Sequence, residues 1–263
     1  MVNKMQKALI RKEIKTVVMT NRFFLDYLLL PLIMALILPV GLILAVTFLD
    51  NSAAEFEAIF AMMMIPVLPG YEEIQTIRLL INNFMPTFFL MIPPLTVTAV
   101  AAGSFTGEKE RRTLETLLYS PMSLQEIFKA KVLVSMFVGM FVTVISFIVM
   151  WLTCGILIWV LLGEILLPNL IWLMVIGLVS PAFAFLGVIV QVRVSAKAKS
   201  SEDAFQRGGM LVLPMVLLII GQFTGILMAS SWLFATLGII LAVLAFVLMK
   251  IAFRKFTYEE LLK

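Results

Sequence analysis

The 263-residue chain contains no histidine and a single cysteine, Cys154. Without histidine there is no Ser–His or Cys–His pair, and the commonest ligand for zinc or haem is missing. One cysteine excludes a disulfide within the chain, and Cys154 reads as a small apolar residue near a span end. Charge is scarce as well: 14% of residues are Asp, Glu, Lys or Arg, against about 25% in an average soluble domain. A nucleotide-binding P-loop would need G-x-x-x-x-G-K-[ST]. The nearest text, GSFTGEKE at 103–110, has the wrong spacing and no Ser or Thr after its Lys. The chain is therefore expected to be neither an enzyme nor its own ATPase, and to bind no metal or cofactor itself.

What is present is apolar. Hydrophobic residues make up 62% of the chain and the mean hydropathy is +1.09, which describes an all-α integral membrane protein. Six runs are long enough to cross the bilayer, at about 27–49, 84–105, 132–154, 170–192, 209–228 and 232–251. Pro31, Pro39, Pro86, Pro93, Pro94, Pro181 and Pro214 fall inside them, where neighbouring helices can satisfy the freed backbone groups. The chain then divides into a cytoplasmic segment (1–26), a six-helix transmembrane domain (27–252) and a cytoplasmic tail (253–263). The third apolar run, 132–163, is too long for one upright helix. Either it tilts, or its end from about Gly155 lies along the outer interface, where Trp151 and Trp159 would suit. The second reading is preferred.

Charge placement orients the chain. Nineteen of the 20 basic residues fall before the first span, between the second and third, between the fourth and fifth, or after the sixth; Arg78 is the exception. The positive-inside rule then puts both termini in the cytoplasm. The basic balance reports orientation, so nucleic acid is not a partner. The outer side is dominated by a loop from Asp50 to about Asn83, with Pro66, Pro69 and Gly70 marking turns. A removable signal peptide is not expected, because the leader is long and the first apolar run has span length. No ionisable residue lies near the middle of a span, which argues against a proton-coupled carrier or a carboxylate-lined channel.

One short stretch breaks the apolar pattern. SFTGEKERRTLETLLYSPMS, residues 104–123, carries six charged residues. Thr106 can cap a helix with Glu108 and Glu110 in its first turn. Leu114, Leu117 and Leu118 follow as one apolar stripe, and Ser120-Pro121 stops the helix. Ser123 to Glu126 forms a capping box that opens the helix of the third span. The pattern alone favours a helix lying on lipid, with Lys109, Arg111 and Arg112 near anionic headgroups.

The stretch GEKERRTLETLLYSPMSLQEIFKAK closely resembles the most recognisable segment of ABC-2 type transporter permeases. Gly107, Glu108, Lys109, Glu110, Arg111, Thr113, Leu114, Glu115, Leu117, Leu118, Ser120, Pro121, Ser123, Glu126, Ile127 and Lys131 all fit it, while Arg112 stands where the family often has Gly. The resemblance implies that residues 106–120 are a coupling helix docking on a separate ATP-binding subunit. Glu108, Glu110, Arg111 and Glu115 would then make polar contacts, with Leu114, Leu117 and Leu118 as the anchor. It further implies a second permease copy or a homologous permease, ATP and Mg held by the partner subunit, and a bacterial or archaeal plasma membrane. Export follows from the family, and the uncharged spans favour an apolar or amphipathic cargo: a drug, a lipid or a hydrophobic peptide. Two alternatives stay open, a membrane anchor that recruits an ATPase without carrying cargo and a stand-alone channel or carrier.

Three further features complete the reading. Ile10, Ile14, Val17 and Val18 make an amphipathic stripe beside Lys7, Arg11, Lys12 and Lys15, expected as an interfacial elbow helix. RVSAKAKSSEDAFQR, residues 193–207, reads as a solvated connector in preference to a second contact with the ATPase. Gly221 and Gly225 have the spacing that lets two membrane helices approach closely.

Overall fold

The computed structural model of the protein describes residues 4–18, 24–49, 72–110, 123–224 and 230–255, all organised around helices with no strand among them. Helix α1 is Lys4–Val18. Helix α2, Leu30–Phe48, is entered through a π-helical turn, Phe24–Leu29. Helix α3 (72–89) joins Glu72–Leu79, the π-helical turn Leu80–Phe84 and Met85–Phe89; α4 is Ile92–Glu110 and α5 is Leu124–Leu162. Helix α6 (170–197) contains a π-helical turn at Val175–Val179, and α7 is Ser201–Gly208. Helix α8, Leu213–Phe223, follows a 3-10 turn at Gly209–Val212, and α9 is Ser231–Lys255.

Six stretches among the described residues are long and apolar enough to cross a membrane: Tyr27–Phe48, Glu73–Glu108, Gln125–Leu162, Leu170–Lys197, Ser201–Gln222 and Ser231–Lys250. The six expected spans are thus present, with the second and third much extended. Helix α4 lies at the centre, packed on α5 and α6, while α2 leans on α5 and α9 on α6.

The third span is one uninterrupted helix of 39 residues, about 58 Å long at 1.5 Å per residue. It does not turn aside at Gly155, so the preferred interfacial reading of its end is corrected. Trp151 stands among core rings, 5.8 Å from Phe147 and 6.1 Å from Trp172, while Trp159 stays exposed. The expected capping box starts the helix: the Ser123 N–H donates to Glu126 Oε2 at 3.0 Å, and the Glu126 N–H donates to Ser123 Oγ at 3.3 Å. Gly163, at φ 68°, ends it, a left-handed conformation that glycine adopts without steric cost.

The outer loop expected up to Asn83 is corrected in its second half, which is the helix α3. Ile77, Leu80, Ile81, Phe84 and Met85 are buried. Their helical spacing was masked by Glu72, Glu73, Gln75, Arg78, Asn82 and Asn83 on the other positions. The Trp172 indole N–H donates to the Ile81 carbonyl at 3.1 Å, a carbonyl that the π-helical turn can spare. Asn169 donates to the Asn82 carbonyl at 3.2 Å, caps α6 at the Ile171 N–H, and receives company from an exposed Arg78–Glu164 pair at 3.0 Å. Between α2, α3 and α5 opens an apolar groove of about 220 Å³, lined in part by Ile33, Ile37, Phe88 and Met150.

Close packing of α4 on α5 depends on Gly139, where any β-carbon would strike the Val97 side chain. Gly139→Val should cost about 1–3 kcal/mol through overpacking and lower the melting temperature of the purified protein. Gly41→Val, at an exposed helix position with nothing within 4 Å of a β-carbon, should leave that temperature nearly unchanged.

Candidate functional site

At one end of the bundle, α1, the last turns of α4 and the first turns of α5 meet around Lys131. Its side chain is 1% exposed. The ammonium donates to the Ser104 carbonyl at 2.6 Å and to Ser104 Oγ at 3.1 Å. It pairs with Glu108 Oε2 at 2.9 Å and lies 3.7 Å from Glu13 Oε1. Ser104 Oγ in turn donates to Glu13 Oε2 at 3.1 Å. The Phe105 ring centroid is 5.4 Å from the ammonium, within the range of a cation–π contact.

This arrangement follows from helix geometry. Ser104 and Glu108 are four residues apart on α4 and so share a face. Glu13 is the one acidic residue among the basic ones of α1, and it falls beside the apolar stripe rather than opposite it. The described residues of that face pack on protein. Leu9 packs with Ile127 and Ala130, and Ile10, Ile14 and Val17 pack with Val100, Val134 and Val138. This packing carries the carboxylate beside the stripe into the base of the bundle.

A buried charge of this kind is costly to break. Its net contribution to stability is small, because desolvation offsets attraction, but removing one partner leaves others buried and unpaired at about 3–5 kcal/mol. Glu13 and Lys131 are the charged residues fully buried among those described. Each charge in the cluster meets an opposite charge, and the arrangement fastens three helices together.

A second, exposed fastening lies beside it. Glu110 Oε2 accepts from the Ser201 N–H at 3.3 Å and from Ser201 Oγ at 2.9 Å, at the start of α7. Ala204 of α7 is buried with Ala102 and Ala198, and Gln191 donates to the Ala204 carbonyl at 2.9 Å. Gly208 allows this approach, since a β-carbon there would strike Gln191. The stretch 193–207 is therefore not a solvated connector. It ends α6 and forms α7, which is packed against α4.

The residues expected to form the docking helix divide sharply. Thr106 lies inside α4, so it caps nothing, and the helix of the second span runs unbroken through Gly107, Glu108 and Lys109 to Glu110. Gly107 is buried beside Ser201; Glu108 and Glu110 make the contacts given above. Arg111, Leu114, Glu115, Leu117, Leu118, Ser120 and Pro121 lie outside the described residues. Gly221 is half-buried in α8, and Gly225 also lies outside the described residues. The structure thus pins residues 108 and 131, one on each side of the charged segment, to the same point.

Lys131→Met should destabilise the solubilised protein by about 3–5 kcal/mol, because Glu13 and Glu108 would lose their cation. Glu110→Gln, at an exposed contact, should cost about 1 kcal/mol or less. Thermal unfolding of the two variants beside the parent protein checks the order.

The family model described as ABC-2 family transporter protein matches the chain over residues 7–232, from α1 to the start of α9 and across the whole of this base. No curated protein and no solved structure matches the chain.

Proposed function

The chain belongs to the ABC-2 transporter family, and from that premise we propose that it is the permease half of an ATP-driven exporter, powered by a separate ATP-binding subunit. It is a multi-pass plasma-membrane protein of the ABC permease type, a class that pairs with ABC ATP-binding subunits. The observation that carries the proposal is the Glu108–Lys131 pair at 2.9 Å. A segment fastened at both ends to the base of the bundle can pass a push from below into the spans.

In this reading residues 111–122 dock on the ATPase. Leu114, Leu117 and Leu118 are the anchor, and Arg111 and Glu115 make polar contacts. ATP and Mg are held by the ATPase, and this chain supplies no catalytic group. Two permease copies, or this chain with a homologue, face each other in the plasma membrane of a bacterium or archaeon. Both termini and the base formed by α1, α4 and α5 lie in the cytoplasm, which the 19 of 20 basic residues placed on that side support. An apolar or amphipathic cargo, such as a drug, a lipid or a hydrophobic peptide, is supported by spans whose buried charges gather at the base.

The test is gentle solubilisation from the native membrane followed by identification of co-purifying proteins. An ABC ATP-binding subunit is expected in near-equal amount with the parent protein and absent with Leu117→Asp. If neither protein brings an ATPase down, under conditions that preserve known ABC complexes, the stand-alone carrier or channel takes the lead.

A further inference from the structure

We infer that Lys131 is a positioning residue that makes α1 and the start of the first span part of the coupling lever, while α7 and the fifth span are held to that lever by a releasable contact. The staple reaches α1 through Glu13, the entrance of the charged segment through Glu108, and the first turns of α5 through Lys131 itself. Tyr27, where the first span begins, joins the same assembly. It packs with Val100, Val134 and Val138, and its hydroxyl would lie 3.1 Å from a β-carbon on Gly103, next to Ser104.

The two fastenings differ in their surroundings. Water is excluded from Lys131, so separating it from Glu108 or Glu13 would strand buried charges. Glu110 and Ser201 meet at an exposed site, where water can replace each hydrogen bond as it breaks. A displacement of the charged segment therefore carries α1 and the first span with it, whereas α7 meets α4 through neutral packing of Ala204 on Ala102 and through the exposed Glu110–Ser201 contact, which can shift without stranding a charge. The two halves of the bundle then respond unequally to one push, and a gap between spans can open or close.

This rests on the coupling role proposed above, yet the rigidity itself is measurable in the permease alone. Cys154 is buried, so spin labels can be directed to cysteines introduced at the exposed positions Lys7, Gln125 and Gln206. Lys7 reports α1, Gln125 the first turn of α5, and Gln206 reports α7. In the parent protein the 7–125 pair should give one narrow distance. It should remain unchanged when the complex with its ATPase is trapped with ATP and vanadate, while the 125–206 distance shifts.

Lys131→Met alone carries a folding cost, so the deciding variant is Glu13→Gln/Glu108→Gln/Lys131→Met, which removes all three charges together and leaves no stranded ion. It should fold but lose the single narrow 7–125 distance in the permease alone. Glu13→Gln alone should broaden the same pair. An unchanged narrow 7–125 distance in the triple variant overturns the inference, because packing alone would then hold α1. A 7–125 distance that shifts on trapping in the parent protein overturns it equally. Loss of ATPase co-purification from the parent protein would instead count against the coupling role, and the label distances without nucleotide would still judge the staple.

Discussion

An ammonium group removed from water must be given anions and acceptors, and Lys131 is removed from water almost completely. That requirement organises the base of the molecule. It draws Glu108 from the end of the second span and Glu13 from the N-terminal helix, and it occupies the Ser104 carbonyl. Three separate stretches of chain, at 13, 104–108 and 131, are thereby fixed to one point. The apolar contacts of Leu9, Ile10, Ile14 and Val17 follow the same path, so α1 is held by packing along its length and by charge at its centre.

The opposite end of the bundle is fastened by different means. There the close contacts are neutral: Trp172 to the Ile81 carbonyl, Asn169 to Asn82, and rings of Phe89, Phe147, Trp151 and Trp172 packed edge to face or tilted. Its ion pair, Arg78 with Glu164, is half exposed and contributes little. Neutral hydrogen bonds and ring contacts tolerate small rearrangements without stranding charge, whereas the ionic base resists them. A permease driven from below has use for this division, with a firm handle at one end and an adjustable closure at the other.

Much of this was legible from the sequence. Six apolar runs gave six spans, and the Ser123 to Glu126 box gave the start of α5 to the residue. The resemblance of residues 107–131 pointed to the family that residues 7–232 match. Less legible were the elements whose polar residues disguised a buried face. Helix α3 hid behind its Asn, Glu and Arg residues, and the stretch 193–207 hid Ala204 among charges. The staple was missed for a related reason. Glu108 is expected in the first turn of a docking helix that meets the ATPase, and Lys131 between the second and third spans, both places where exposure is the usual state. The available hints were Glu13, isolated in a basic helix, and the place of both Glu108 and Lys131 in the family's own segment. Pairing between residues 13, 108 and 131 depends on how three helices meet, and no local period reports that.

The central claim is that an ATP-binding subunit drives this permease through a segment whose two ends share one buried anchor. A cryo-EM structure of the chain purified with its ATPase, trapped with ATP and vanadate, addresses it most directly. The account predicts residues 111–122 seated on the ATPase, with Lys131 still paired to Glu108 beneath them. An ATPase bound elsewhere on the permease, or a docked segment with Lys131 drawn away from both carboxylates, would contradict it.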